Sequence, residues 1–476
     1  MKKLQTLTAA CALAFAGQAF ALSPSTTPDV TLFISGSSAL QLVIGQLANG
    51  MMQPGTLDVY YDSASNGSNS RAYFGTMKTD SSIPAALQGK KVLLINRAQG
   101  GSIYGVNPVA QATPLSRLDV TTTSCGTAAS GTDATTGAPL WKCSGTVSTV
   151  PDGGVSDVEP AMFQGVNLPS GWTAAGASLA NLTVGSTLAA PFAVILTNNL
   201  KPYVTNLSKM QAASLLAAQI NGTYQDWGAI NASLAGNPVM ICRRSPGSGT
   251  QASTNNYLLG FPCSKTPLSP ASYTNTYTGS STPSGFTVIE NDSSGKLGKC
   301  MDYLQNGTPA GQAIDVTNGS LVPAGSPNSI ILNPPTGGYY GIGIMGLDYP
   351  PTKAGDLYFY PTLDGISITK NNDGQTPDLT NPANGIYGWV SENGYQYRNT
   401  TVNGIAPPAG AQLALLQLIQ VRAGDPAVFG STTLPVPGVM GLIENGYTPT
   451  GTDANAYPVW KGANFSNSCQ APQLYF

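Results

Sequence analysis

The sequence contains no histidine, and only 9% of its 476 residues are charged. Without imidazole, Ser-His-Asp and Cys-His catalysis lack their base and the usual zinc sites lack a ligand. A formal net charge of -2 leaves no bulk positive potential for nucleic acid or anionic membranes. Beyond the N-terminus no apolar run is long enough to cross a bilayer. Any charged partner has to be recognised locally, by a few placed groups.

What is present in quantity is Gly (55) and Pro (36), alongside many Ser, Thr and Asn. Such a chain covers its surface with neutral polar loops, and its length allows two or three lobes with real cores. At the N-terminus Met1-Lys2-Lys3 is a charged start, Leu7 to Phe20 is apolar and small, and Ala19-Phe20-Ala21 fits a cleavage site. The expectation is a secretory signal peptide over 1–21 and a mature chain from Leu22, in the periplasm or secreted. Setting Cys11 aside, six cysteines remain in an oxidising compartment, Cys125, Cys143, Cys242, Cys263, Cys300 and Cys469. Their order suggests nearest-neighbour bridges, Cys125 with Cys143, Cys242 with Cys263 and Cys300 with Cys469, although other pairings stay open.

The chain is organised around Cys242-Arg243-Arg244-Ser245-Pro246-Gly247-Ser248-Gly249-Thr250. Pro238 to Ile241 reads as a strand and Gln251 to Leu259 as a helix, so the stretch between is a tight turn at a helix N-terminus. Unpaired N–H groups and the helix dipole make such a point a seat for an anion. Gly247 and Gly249 let the backbone approach, Ser248 and Thr250 add hydroxyls, and Arg244 supplies a planar charged fork. An ordinary N-cap explains the same residues.

Two further turns have this character. Val30 to Ile34 is a strand, followed by Ser35-Gly36-Ser37-Ser38 and a helix over Ala39 to Leu47. Asp58 to Tyr61 is a strand, followed by the serine-rich run to Ser70 and a short helix from Arg71 to Met77. Lys90 to Arg97 is a strong strand ending in Gln99-Gly100-Gly101-Ser102, and about 113–152 reads as an inserted loop or small hairpin, stapled because it lacks a core. Asp157 and Glu159 set two carboxylates close together, either for acid–base work or as helix-start residues. Near Ala189-Ala190-Pro191 the lobe changes; Phe192 to Leu196 is a strand and Ser208 to Ile220 a helix. Residues 264–300 look irregular, Gly337 to Met345 reads as a strand, and Gly410 to Arg422 is a helix that packs back on the first lobe. Asn371-Asn372-Asp373-Gly374 fits a calcium loop only loosely, since Thr369 fills a ligand position and the distal Glu is missing.

Taken in order, Ile34-Ser35-Gly36-Ser37-Ser38, Gly67-Ser68, Ser156-Asp157 before a Pro, Asn221-Gly222-Thr223 with Trp227, and Arg244 with Gly247 to Thr250 resemble the substrate-binding proteins of phosphate ABC importers. These belong to the type II periplasmic binding protein superfamily. The resemblance covers about half of the mature chain. It implies an α/β fold of two lobes with a hinge and a ligand cleft between them, lobe 1 from 22–190 and 376–476 and lobe 2 from 191–375. It also implies that Ser37, Ser38, Ser68, Asp157, Arg244, Ser248, Gly249 and Thr250 surround a small oxyanion, phosphate first. An acceptor-only carboxylate such as Asp157 suits an oxyanion that carries a proton. An ABC permease is the implied partner; no cofactor, metal, nucleic acid or catalytic residue is implied. Two departures stand out: Pro246 occupies the place of an Asp that orients the arginine, and Glu159 is inserted before Pro160. The rival expectation is a surface or secreted binding module, in contact with polysaccharide or protein, that keeps the fold without transport.

Overall fold

The computed structural model describes residues 22–38, 41–65, 67–217, 226–272, 286–351, 355–425, 438–441, 460–461, 469 and 473–474. The expected signal peptide and the Asn221-Gly222-Thr223 motif lie outside them. The chain is a mixed α/β protein built on one large mixed sheet. Its main strands are β1 (Val30–Gly36), β2 (Asp58–Asp62), β3 (Ser70–Thr76), β4 (Lys91–Arg97), β5 (Pro139–Cys143) and β6 (Gly153–Ser156). The rest are β7 (Leu182–Thr197), β8 (Met240–Arg244), β9 (Thr287–Asn291), β10 (Gly341–Gly346) and β11 (Val390–Arg398). Across the sheet they run β9-β8-β10-β7-β11-β6-β1-β4-β3-β2-β5.

The middle of that order explains the architecture. On one side β6, β1 and β4 are parallel neighbours, with β3, β2 and β5 beyond them, and on the other so are β10, β8 and β9. Between them β7 and β11 run antiparallel to each other. The first part of β7 pairs with β11, and its last part, Phe192 to Leu196, pairs with β10. One strand thus belongs to both halves, and the apolar side chains divide along it: Leu188 and Ala190 join the core that holds Leu32, Ile34 and Leu94, whereas Phe192 and Val194 join the core that holds Ile241, Ile342 and Trp227. The register shifts between Ser186 and Ala189, at the changeover.

Among the described residues the longer helices are α1 (Gln41–Met51), α2 (Lys209–Ala217), α3 (Gly249–Tyr257), α4 (Ser294–Asn306) and α5 (Gly410–Ala423). On α1, Val43, Ile44 and Leu47 repeat at helical spacing and bury in the first core, and Leu415, Leu416 and Ile419 of α5 join them. Each such side chain is worth about 1.5–3 kcal/mol of burial.

Several expectations need correcting. Arg71 to Met77 is not a helix; Ala72 and Phe74 face one core and Tyr73 the other, the alternation of a strand, and β3 pairs with both β2 and β4. The central strand runs on through Arg244 rather than ending at Ile241. Within 264–300, β9 and the start of α4 are regular. The segment about 113–152 does have a core: Leu115–Leu118 pairs with Thr146–Thr149, β5 extends the main sheet beside β2, and Trp141, Cys125 and Cys143 pack with Phe33, Tyr60 and Ile95.

The bridges are Cys125–Cys143, as expected, then Cys242–Cys300 and Cys263–Cys469, which are not. Strand alternation is the reason. Cys242 and Arg244 point to the same face of β8, the face that α4 covers, where Arg244 Nη1 donates to Ser294 Oγ at 3.0 Å. Cys300 is on α4, so it meets Cys242; Cys263 lies beyond α3 and is left for the tail.

Candidate functional site

The carboxyl ends of β1, β6 and β8 meet at one buried polar cluster. Ser37 continues β1: its N–H donates to Val155 O at 3.0 Å, which sets its hydroxyl on Asp157 Oδ1. Asp157 follows β6, and its own N–H donates to Ser102 Oγ at 3.2 Å. Asn393 of β11 donates through Nδ2 to the same Oδ1, at 3.2 Å. Burial pushes the Asp157 carboxyl above the usual carboxylate range; Ser37, the nearby Arg244 charge and Ser102 act in the opposite direction.

The central turn comes to this cluster from the other half. Gly247 has φ of +92°, which a side chain would strain, and its O accepts the Ile103 N–H at 3.0 Å. Its N–H donates to Asn167 O at 2.9 Å. The turn is therefore held by two segments of the first half. At Gly249 a Cβ would fall 2.4 Å from Ser102 Oγ and 2.7 Å from Asp157 Oδ2, so only glycine lets the α3 N-terminus sit against that carboxylate. Ser248 is the N-cap by position, yet its hydroxyl caps nothing: Oγ is buried and has no hydrogen-bond partner. Thr250, in the first turn of α3, is also buried.

Arg244 is buried, and its guanidinium is held at three points: Nε donates to Asn291 O at 3.1 Å, Nη2 to Asp292 O at 2.9 Å and Nη1 to Ser294 Oγ. These contacts do the orienting that Pro246 cannot. Of five guanidinium N–H groups, one on each Nη remains beyond those bonds. Burial draws its pKa down, while Asp157, Asp292 and Asp348 hold it up. Arg243 points to the other face of β8 and pairs with Glu290 at 2.5 Å.

The other two candidates are exposed rather than buried. Ser38 is exposed at the end of β1, and Ser68 is exposed in the loop between β2 and β3. The Ser68 hydroxyl is turned into its own loop, donating to Ser65 O at 2.9 Å, and Asp62 organises that loop by accepting from Ser65 N and Ser70 N. Glu159 is buried just before Pro160. Asp373, in the loop compared with a calcium site, spends Oδ1 on the N–H groups of Gln375 and Thr376. No group of His, Cys, Asp and Glu arranged for a metal occurs among the described residues.

Sequence reasoning overlooked Ser102 and Asn393. For Ser102 a signal existed, a strong strand ending in Gly100-Gly101-Ser102. For Asn393 there was none, because the strand that carries it is too polar to read as buried.

No protein-family model and no curated protein sequence matches the chain. Among solved structures, it is similar to a Clostridium perfringens substrate-binding protein of the phosphate ABC transporter type, solved with bound phosphate, at 12% identity and TM-score 0.41, over 86% of this chain and 99% of that one. It is also similar to a DING protein, at 12% identity and TM-score 0.39, over 90% and 96%. A third is a phosphate-binding protein from Stenotrophomonas maltophilia, at 12% identity and TM-score 0.34, over 87% and 100%. At such identity and superposition, the ligand of this chain has to be read from its own residues.

Proposed function

We propose that this protein captures a small oxyanion, phosphate first, without covalent chemistry, in a cleft between its two halves and outside the inner membrane. The observation that carries the reading is the buried Ser248 hydroxyl: a donor without a partner, at the N-cap of a helix whose first residue, Gly249, lies against the Asp157 carboxylate. A buried unpaired hydroxyl is costly, and an oxyanion oxygen would satisfy it. The N–H groups of Gly249 and Thr250 and the remaining Arg244 N–H groups donate alongside it, while Asp157 accepts from a protonated ligand oxygen and so favours phosphate over sulfate. Ser38 and Ser68 join if the halves close about the strands they share, with the Ser68 hydroxyl turning from Ser65 to the ligand. Delivery to an ABC permease is the role this capture would serve. No helix among the described residues is long and apolar enough to cross a membrane.

The test is isothermal titration of the chain from Leu22, stripped of ligand by unfolding and refolding, with phosphate, sulfate and arsenate. Micromolar or tighter phosphate binding with weak sulfate binding supports the reading. A folded protein that gives no heat with any oxyanion overturns it, and turns attention to contact with polysaccharide or protein at the cell surface.

A further inference from the structure

Asp157 is nearly saturated by the protein itself. Its Oδ1 accepts both the Ser37 hydroxyl and Asn393 Nδ2, which fills the two lone-pair positions of one carboxylate oxygen. Ser102 Oγ accepts the Asp157 N–H at 3.2 Å and helps draw the carboxyl pKa down. What remains for a ligand is room on Oδ2, the oxygen that faces Gly249.

Asn393 adds a second acceptor. Its side chain is fully buried, its backbone O takes the Thr187 hydroxyl at 2.9 Å, and its Oδ1 has no partner. The amide cannot simply be turned over, because that would set Oδ1 against the Asp157 carboxylate and waste the N–H groups. The cluster thus presents donors from Ser248, the α3 N-terminus and Arg244, and two acceptors, Asp157 Oδ2 and Asn393 Oδ1. An oxyanion with no hydrogen satisfies neither acceptor, and one with a single hydrogen leaves one empty.

Resting on the proposed function, we infer that the site holds the doubly protonated, singly charged form of its oxyanion, as in dihydrogen phosphate, and that Asn393 is the residue that sets this second requirement.

The charges agree. Arg244 offsets Asp157, and Asp292 and Asp348 already act on Arg244 from its own half. A dianion would add two negative charges beside the buried Asp157 carboxylate, a monoanion only one.

The experiment is isothermal titration with phosphate across its second ionisation, with sulfate in parallel to report titration of the protein alone. Relative to sulfate, phosphate affinity is expected to fall about tenfold per pH unit above that ionisation. In Asn393→Leu, which removes the second acceptor, the profile flattens; Asn393→Ser, which restores a small acceptor, recovers part of the slope. If neither variant folds, the wild-type profile alone decides. A flat wild-type profile, or an unchanged slope in Asn393→Leu, overturns the role of Asn393 while leaving phosphate capture standing. Absence of any phosphate heat removes the capture reading itself, and this inference with it.

Discussion

Asp157 and Asp58 are both buried carboxylates, and they lead to different expectations. Replacing Asp157 by Asn keeps the shape and turns one acceptor into a donor. The phosphate-to-sulfate preference should then fall by about tenfold or more, the worth of a hydrogen bond to a charged group; titration of both ions reads it, and an unchanged preference removes Asp157 from the pocket. Asp58 begins β2, fully buried with neither oxygen hydrogen-bonded. Burial raises its pKa to about 6, and the Trp141 indole offsets part of this. A carboxyl with a raised folded pKa favours the protonated protein. Its folded form therefore loses stability as pH rises from the unfolded value near 4 toward about 6, and stays weaker above that. Asp58→Asn should gain about 1–2 kcal/mol at neutral pH and little at pH 4. Denaturant unfolding at the two pH values tests it, and an equal change at both would show packing rather than ionisation at work.

Elements were legible where sequence pattern and burial agree. The strand at Val30, the helix at Gln41, the strand at Lys91 and the helix at Gly410 all announce themselves by apolar spacing. The strand carrying Glu392, Asn393 and Gln396 does not, since these residues are buried for polar contacts that only tertiary structure creates. The same limit applies to the site: glycine, serine and arginine at the central turn were readable, while the Asn291 and Asp292 carbonyls that aim Arg244 come from a strand distant in sequence. The cysteines show how face matters more than order. Peptide mapping under non-reducing conditions should recover Cys242 joined to Cys300, and finding it joined to Cys263 would refute the strand-face argument. Replacing both Cys242 and Cys300 by Ala opens a loop of 58 residues and should cost about 2–4 kcal/mol.

At the scale of the molecule, the clasp between halves decides how ligand and stability are linked. Ile103 and Asn167 hold the central turn from the first half, and Ser253 of α3 meets Ser391 of β11 at 2.9 Å. An anion lodged beside those contacts ties the two halves together and binds only the folded form. Phosphate at a hundred times its Kd should therefore stabilise the protein by roughly 3 kcal/mol, a rise of several degrees in Tm, with a smaller rise from equal sulfate. Equal shifts from both ions would point to a general salt effect instead.

The bridge from Cys263 to Cys469 spans 206 positions of the chain, and Cys242–Cys300 overlaps its beginning. A single peptide cut between Cys263 and Cys469 therefore releases nothing: sulfur still joins the two pieces. Such a molecule would migrate whole on a non-reducing gel and as two bands after thiol treatment. Under oxidising conditions the protein can thus be nicked and still remain one particle.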